Sequence, residues 1–289
     1  MYTQEITCKH RTAFVIAVDQ SLSMRESLVT ECGHMLSKGD VVTYAVNRII
    51  SEMMARATRE GKVRDYYDIA VMGYSSRGVE SLLGGVRKLI SISELSDRRP
   101  EKRSFAVNHR TAEGGSAVMN YSFDMWIEPS FDGSTPMYEA LSEIRDLVGE
   151  WCAEERNAGS FPPVVINITD GEVSDADCDE LRTMADGIKS LRTDDGNVLL
   201  MNIHITAAAG VPHLLFPTEE EVLSEDNRYA RLLADCSSVM PEPFAELIRD
   251  SRGDSRGSRR NYLAMGYNSS AEELFVMLNI GSRSVNGAR

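Results

Sequence analysis

Four short runs, 13–18, 67–73, 164–168 and 198–205, are largely apolar and rich in Val and Ile, and they constrain the fold more than any other feature. A strand with one wet face alternates apolar and polar residues. A continuous run instead fits a strand covered on both faces, as in a parallel sheet. Between and after these runs, apolar residues recur at helical spacing over 41–58, 137–155, 177–192 and 229–233. Strand and helix patterns in alternation predict an α/β, Rossmann-like fold, with a doubly wound, mostly parallel central sheet flanked by helices on both faces. A last strand is expected over 262–267 and a last helix over 271–280.

Two stretches fall outside this pattern. Residues 78–126 are less regular, and the charged cluster at 96–103 with the pair Gly114 and Gly115 suggests hairpins or an insertion at a sheet edge. Residues 250–260, DSRGDSRGSRR, are without apolar side chains and are expected to form a flexible surface loop. With no internal repeat and no long linker in 289 residues, a single domain over 1–289 is expected.

Charge and cysteine usage narrow the classes of function. The chain carries 31 basic and 44 acidic side chains, a formal net charge of -13, which opposes non-specific attraction to nucleic acid or an anionic membrane. No run approaches a membrane span, and MYTQEITCKHRT has no apolar stretch fit for secretion, so a cytoplasmic protein is expected. Cys8, Cys32, Cys152, Cys178 and Cys236 are scattered, without zinc-like spacing, and read as reduced packing thiols.

The chemistry sits where the runs end. The first is followed by Asp19, Gln20, Ser21, Leu22 and Ser23, a carboxylate and two hydroxyls at a strand's C-terminal end, where open parallel sheets bind ligands. The third is followed by Thr169, Asp170, Gly171 and Glu172, and Thr135 with Pro136 stands just before the helix over 137–155. Two Ser hydroxyls, one Thr hydroxyl and two Asp carboxylates suit a hard cation such as Mg²⁺, which takes oxygen ligands in near-octahedral geometry; Mn²⁺ and Ca²⁺ are alternatives. Neutral hydroxyl ligands leave the ion most of its charge, so it can accept a further anionic oxygen. The competing reading is that Asp19 and Asp170 only end strands while Ser23 and Thr135 cap helices.

Asp19-x-Ser21-x-Ser23, then Thr135 within Gly133-Ser134-Thr135-Pro136, then Asp170 within Thr169-Asp170-Gly171, resembles the metal-ion-dependent adhesion site of von Willebrand factor A domains. The likeness spans about 13–280, least clearly over 78–126, and points to a bacterial-type intracellular member. It implies that Ser21, Ser23 and Thr135 coordinate the ion, and that Asp19 and Asp170 do so directly or through water. It further implies a protein partner whose Asp or Glu completes the coordination sphere, within signalling, stress-response or ATPase-associated complexes that include kinases, phosphatases or AAA+ ATPases. The sequence departs from many members at Gln20, where a small residue is usual, and in the long segment 24–39 between the metal loop and its helix.

Other chemistry finds little support. Phosphate-loop, His-Glu-x-x-His and Gly-x-Ser-x-Gly motifs are missing. A metal-dependent phosphohydrolase using Asp19 or a metal-bound water is the alternative function, but enzymes similar to the haloacid dehalogenases place a second Asp where Ser21 stands. A scaffold with a vestigial site is a third possibility. His10, His34, His109, His204 and His213 share no ligand spacing, and Arg252-Gly253-Asp254 matches the integrin-binding tripeptide by coincidence.

Overall fold

Strand β1 (Thr12–Asp19) is buried along its whole length, its side chains pointing alternately into two separate cores. Phe14, Ile16 and Val18 enter one, Val15 and Ala17 the other. Each of the Val, Ile and Phe side chains among them contributes about 1.5–3 kcal/mol relative to exposure. This two-faced burial is the physical reason for the unbroken apolar run.

The computed structural model describes residues 2–29, 35–85, 88–110, 116–171, 173–206, 213–225, 227–254 and 260–284. After β1 come helix α1 (Lys38–Ala57), strands β2 (Tyr67–Ser75) and β3 (Gly78–Ser81), and helix α2 (Ile92–Asp97). A hairpin of β4 (Glu101–Arg110) and β5 (Ser116–Met125) leads to α3 (Met137–Ala153), β6 (Val164–Thr169), α4 (Cys178–Ser190) and β7 (Leu199–His204). The chain continues through β8 (Leu214–Leu215), α5 (Glu219–Ser224), α6 (Arg228–Cys236), α7 (Ala245–Arg252), β9 (Met265–Tyr267) and α8 (Ala271–Gly281).

The central sheet has the order β8-β9-β7-β6-β1-β2-β3, with Ile90–Ser91 pairing on β2 as well. All pairs among β9, β7, β6, β1 and β2 are parallel, and β8, β3 and Ile90–Ser91 add antiparallel edges. Helices α1 and α8 supply one core, and α3, α4 and α6 the other. This is the doubly wound, mostly parallel α/β architecture that the alternating pattern predicts. The four expected strands match β1, β2, β6 and β7 to within a few residues.

Capping chemistry sets where the helices begin. Ser37 and Asp40 form a reciprocal capping box at α1, as do Asp177 and Glu180 at α4 and Ser270 and Glu273 at α8. Helix α1 therefore starts three residues before the apolar pattern at 41–58, and of the segment 24–39, residues 30–34 lie outside the described residues. A 3-10 turn, Leu22–Arg25, runs into the start of that segment, and Ser27–Val29 pairs antiparallel with Met35–Ser37.

The irregular region 78–126 resolves into edge strands, α2 and the β4–β5 hairpin, which forms a two-stranded sheet apart from the central one. Asn47 of α1 clamps the chain as it leaves β5. Its Oδ1 accepts the N–H groups of Trp126 and Ile127 at 2.7 and 3.0 Å, and its Nδ2 donates to the Ile127 carbonyl at 3.0 Å.

The expected loop over 250–260 begins later than predicted, because α7 runs to Arg252. The Arg252 guanidinium, flanked by Glu221 and Asp254 at 2.8 Å each, also donates to the Leu215 and Phe216 carbonyls. A run read as solvated by composition thus starts with a cation that pins α5, α7 and β8 together. Residues 255–259, Cys32, His34, Gly114, Gly115 and Glu172 lie outside the described residues. Among the described residues, no helix is long and apolar enough to cross a membrane.

Candidate metal centre

Because β1, β6 and β7 are parallel, their C-terminal ends share one edge of the sheet, and the loops leaving that edge meet. Asp19 closes β1 and is 1% exposed. Its Oδ1 accepts the Ser21 N–H at 2.8 Å, and its Oδ2 accepts the Thr169 hydroxyl at 2.7 Å. The Thr169 oxygen in turn accepts the Gly171 N–H at 3.2 Å, so one buried hydroxyl ties the β1 loop to the β6 loop.

The two serines project from the turn after β1. Ser21 Oγ and Ser23 Oγ stand 3.0 Å apart, and the Ser23 hydroxyl donates to Asp170 Oδ1 at 2.7 Å. Asp19, Ser21, Ser23 and Asp170 therefore form one bonded cluster. Thr135 reaches it by a different route. Its N–H donates to Ser174 Oγ at 3.1 Å, the Ser174 N–H donates back to the Thr135 carbonyl at 3.2 Å, and Thr135 Oγ1 lies 3.9 Å from where a Cβ on Gly171 would stand. The hydroxyl thus flanks the Asp170–Gly171 turn, although no direct bond to the other four is seen among the described contacts.

The segment leading to Thr135 is fixed against the loop that follows β1 by backbone bonds: Leu22 N–H to the Gly133 carbonyl at 3.1 Å, and Asp132 N–H to the Gln20 carbonyl at 2.7 Å. Gly133 has φ +57, and a Cβ there would come within 2.2 Å of Ser76 Oγ. Glycine is required at this position on both counts. Beyond Thr135, the Asp175 carboxylate accepts the Tyr138 and Glu139 N–H groups at 3.1 and 2.9 Å and caps α3. The Tyr229 hydroxyl donates to the Gly171 carbonyl from α6.

One residue of the cluster was not anticipated. Lys38, the first residue of α1, places Nζ 2.8 Å from Asp170 Oδ2 and 2.7 Å from Glu26 Oε2. Its side chain is 4% exposed, that of Asp170 0% and that of Glu26 65%. Sequence did offer a signal. The helix dipole disfavours a cation in the first turn, so a basic residue inside the Ser37–Asp40 capping box calls for an acidic partner.

The electrostatics follow from burial. Desolvation holds the Asp19 carboxyl above its ordinary pKa, opposed by the bonds from Ser21 and Thr169 and reinforced by the Asp170 charge. Burial pulls the Lys38 ammonium down, but its bonds to Asp170 and Glu26 outweigh this and leave its pKa raised, so it stays charged. His204, at the end of β7, is pushed down to about 4 by burial and is neutral near pH 7. It stacks on Tyr267 and meets Tyr229 edge-on, the placement of a packing residue.

The donor set suits a hard divalent cation. An octahedral ion with bonds of about 2.1 Å has ligand oxygens about 3.0 Å apart along each edge. The Ser21–Ser23 and Ser23–Asp170 separations, 3.0 and 2.7 Å, are of that size. A cation would also relieve the buried charge of Asp19. The set contains only two carboxylates and no imidazole or thiolate, and no group of three His, Cys, Asp or Glu side chains placed to hold a metal occurs among the described residues. That composition disfavours zinc.

No family model matches the chain, and no curated protein matches it. Among solved structures it is similar to a von Willebrand factor type A protein from Catenulispora acidiphila, at 13% identity and a TM-score of 0.40. The match covers 68% of this chain and 34% of that one.

Proposed function

We propose that this chain is a non-enzymatic protein-interaction module that binds one divalent cation, Mg²⁺ in the first instance, and uses it to hold an Asp or Glu side chain of a partner. The observation that carries this reading is the convergence of Asp19, Ser21, Ser23 and Asp170 into one hydrogen-bonded cluster at the C-terminal edge of the sheet, with Thr135 beside it. In this reading Ser21, Ser23 and Thr135 supply neutral oxygens, and the two aspartates act directly or through water. The bound ion supplies a Lewis-acidic position for one anionic oxygen from outside.

The surroundings support a docking role. Leu22, inside the metal loop, is 54% exposed, and Met35, on the adjoining short strand, is 71% exposed. Apolar side chains of this kind beside a polar centre supply contact area around a charged anchor. The net charge of -13 argues against nucleic acid or an anionic membrane as the ligand. Complexes built around a kinase, a phosphatase or an AAA+ ATPase remain the proposed setting, drawn from the sequence resemblance to von Willebrand factor A domains.

The phosphohydrolase alternative is the weaker reading. Ser21 stands where enzymes similar to the haloacid dehalogenases place the second Asp that serves as general acid, and its N–H instead donates to Asp19. The test is capture of partners on the immobilised chain with Mg²⁺ or with EDTA, beside Asp19→Ala and Thr135→Ala. Specific capture should need Mg²⁺ and be lost in both variants. Capture that survives EDTA and Asp19→Ala refutes the proposal, and Mg²⁺-dependent turnover of phosphate esters abolished by Asp19→Asn would favour the enzyme instead.

A further inference from the structure

We infer that Lys38 is a built-in cation of this site: its ammonium substitutes for part of the metal's charge, holds the cluster together without metal, and sets a deliberately weak affinity for the divalent ion. The inference rests on the metal-binding reading above and extends it to a residue outside the five-residue motif.

The position is costly without such a role. An ammonium at the first residue of a 20-residue helix faces the positive end of the helix dipole, and a lysine 3% exposed overall has given up most of its hydration. The backbone fixes it there. The Lys38 N–H donates to the Glu26 carbonyl at 2.9 Å, and the Ser37–Asp40 box sets the start of the helix. Gly39 lies so close to Phe131 that a Cβ would approach the ring to 2.4 Å. The ammonium therefore sits between the exposed Glu26 carboxylate and Oδ2 of Asp170, whose side chain is fully buried.

Asp170 is shared between two roles. Oδ1 accepts the Ser23 hydroxyl and belongs to the oxygen cluster, while Oδ2 is held by Lys38. Counting the fully buried groups, Asp19 and Asp170 carry two negative charges and Lys38 returns one positive, so an arriving cation meets half the charge that the aspartates alone would offer. Glu26, 65% exposed, is screened by solvent and counts for less. The same lysine raises the positive charge that remains once a divalent ion is bound, which favours an anionic oxygen from a partner. Weak affinity for the ion and strong demand for an anion make metal and partner bind cooperatively.

The test is titration calorimetry of Mg²⁺ and of Mn²⁺ into wild type, Lys38→Met, Lys38→Gln and Lys38→Arg, with melting curves in EDTA. Removing the charge should tighten metal binding about tenfold or more, since a like charge is lost near the ion. Lys38→Gln provides a polar second variant should Lys38→Met fold poorly, and Lys38→Arg should keep the wild-type affinity. Both neutral variants should melt lower than wild type in EDTA and regain stability on adding Mg²⁺, whereas a lysine that merely supports the fold would weaken metal binding when removed. If wild type binds metal and neither neutral variant binds more tightly, the role of Lys38 is overturned and the metal site stands. If neither wild type nor variants bind metal, the metal reading falls and this inference with it. Binding seen only in the neutral variants supports the inference in its strongest form.

Discussion

Replacing Thr169 by Val tests how the site is assembled, because the change is nearly isosteric and touches one oxygen. That oxygen, 0% exposed as part of its residue, donates to Asp19 Oδ2 at 2.7 Å and accepts the Gly171 N–H at 3.2 Å. Losing a hydrogen bond to a charged group costs about 1.5–3 kcal/mol, and an orphaned buried N–H about 1–3 kcal/mol more. Allowing for partial relaxation, a loss of about 3 kcal/mol is expected without metal. The cost should depend on pH. Asp19 already has a raised pKa from burial, and removing a donor raises it further, so the penalty of keeping it charged is full above that pKa and fades as pH falls and the carboxyl protonates. Denaturant unfolding of wild type, Thr169→Val and Thr169→Ser in EDTA, near neutral pH and again near pH 5, measures this. Thr169→Ser should stay close to wild type. A Val variant within about 1 kcal/mol of wild type, or as stable as the Ser variant, would show that the Thr169 bridge does not hold the two loops.

Asn47→Ala removes three buried bonds to the backbone at 126–127 and should cost about 3 kcal/mol in denaturant unfolding, whereas Arg48→Ala, one position away on the exposed side of α1, should change little. His204 titrates near 4 when folded and near 6.5 when unfolded, so the unfolded chain binds the extra proton between these values and stability falls as pH drops through that window. The contribution lost by pH 5 is about 2 kcal/mol, and His204→Phe should lose that much less than wild type between pH 7 and pH 5 in unfolding midpoints taken in EDTA.

What could be read in the sequence follows a physical divide. The strands β1, β2, β6 and β7 are buried on both faces, which forces continuous apolar runs, and the helices packed on them must keep an apolar stripe. The edge elements carry no such constraint. Strands β3 and β8 and Ile90–Ser91 are two to four residues long and mostly half-buried, so their composition resembles that of loops. Asp19, Ser21, Ser23 and Asp170 come together because the parallel sheet brings its loops to one edge, and their spacing in the sequence places each at a loop's start. Thr135 is brought alongside by the Leu22–Gly133 backbone bond and by its bonds with Ser174, a residue outside the motif. Lys38 carries no local signature for a related reason: its partner Asp170 lies 132 residues away, and only the misfit of a cation in a helix's first turn hints at the pairing.

Binding of a divalent cation by these oxygens is tested most directly by Mn²⁺ titration followed by electron paramagnetic resonance, since free and bound Mn²⁺ differ in signal. Wild type should bind one Mn²⁺ per chain, displaceable by Mg²⁺, and a chain carrying both Asp19→Ala and Ser23→Ala should bind none while remaining folded by circular dichroism. Absence of bound Mn²⁺ in wild type and in Lys38→Gln alike, or equal binding by the doubly substituted chain, would contradict the account.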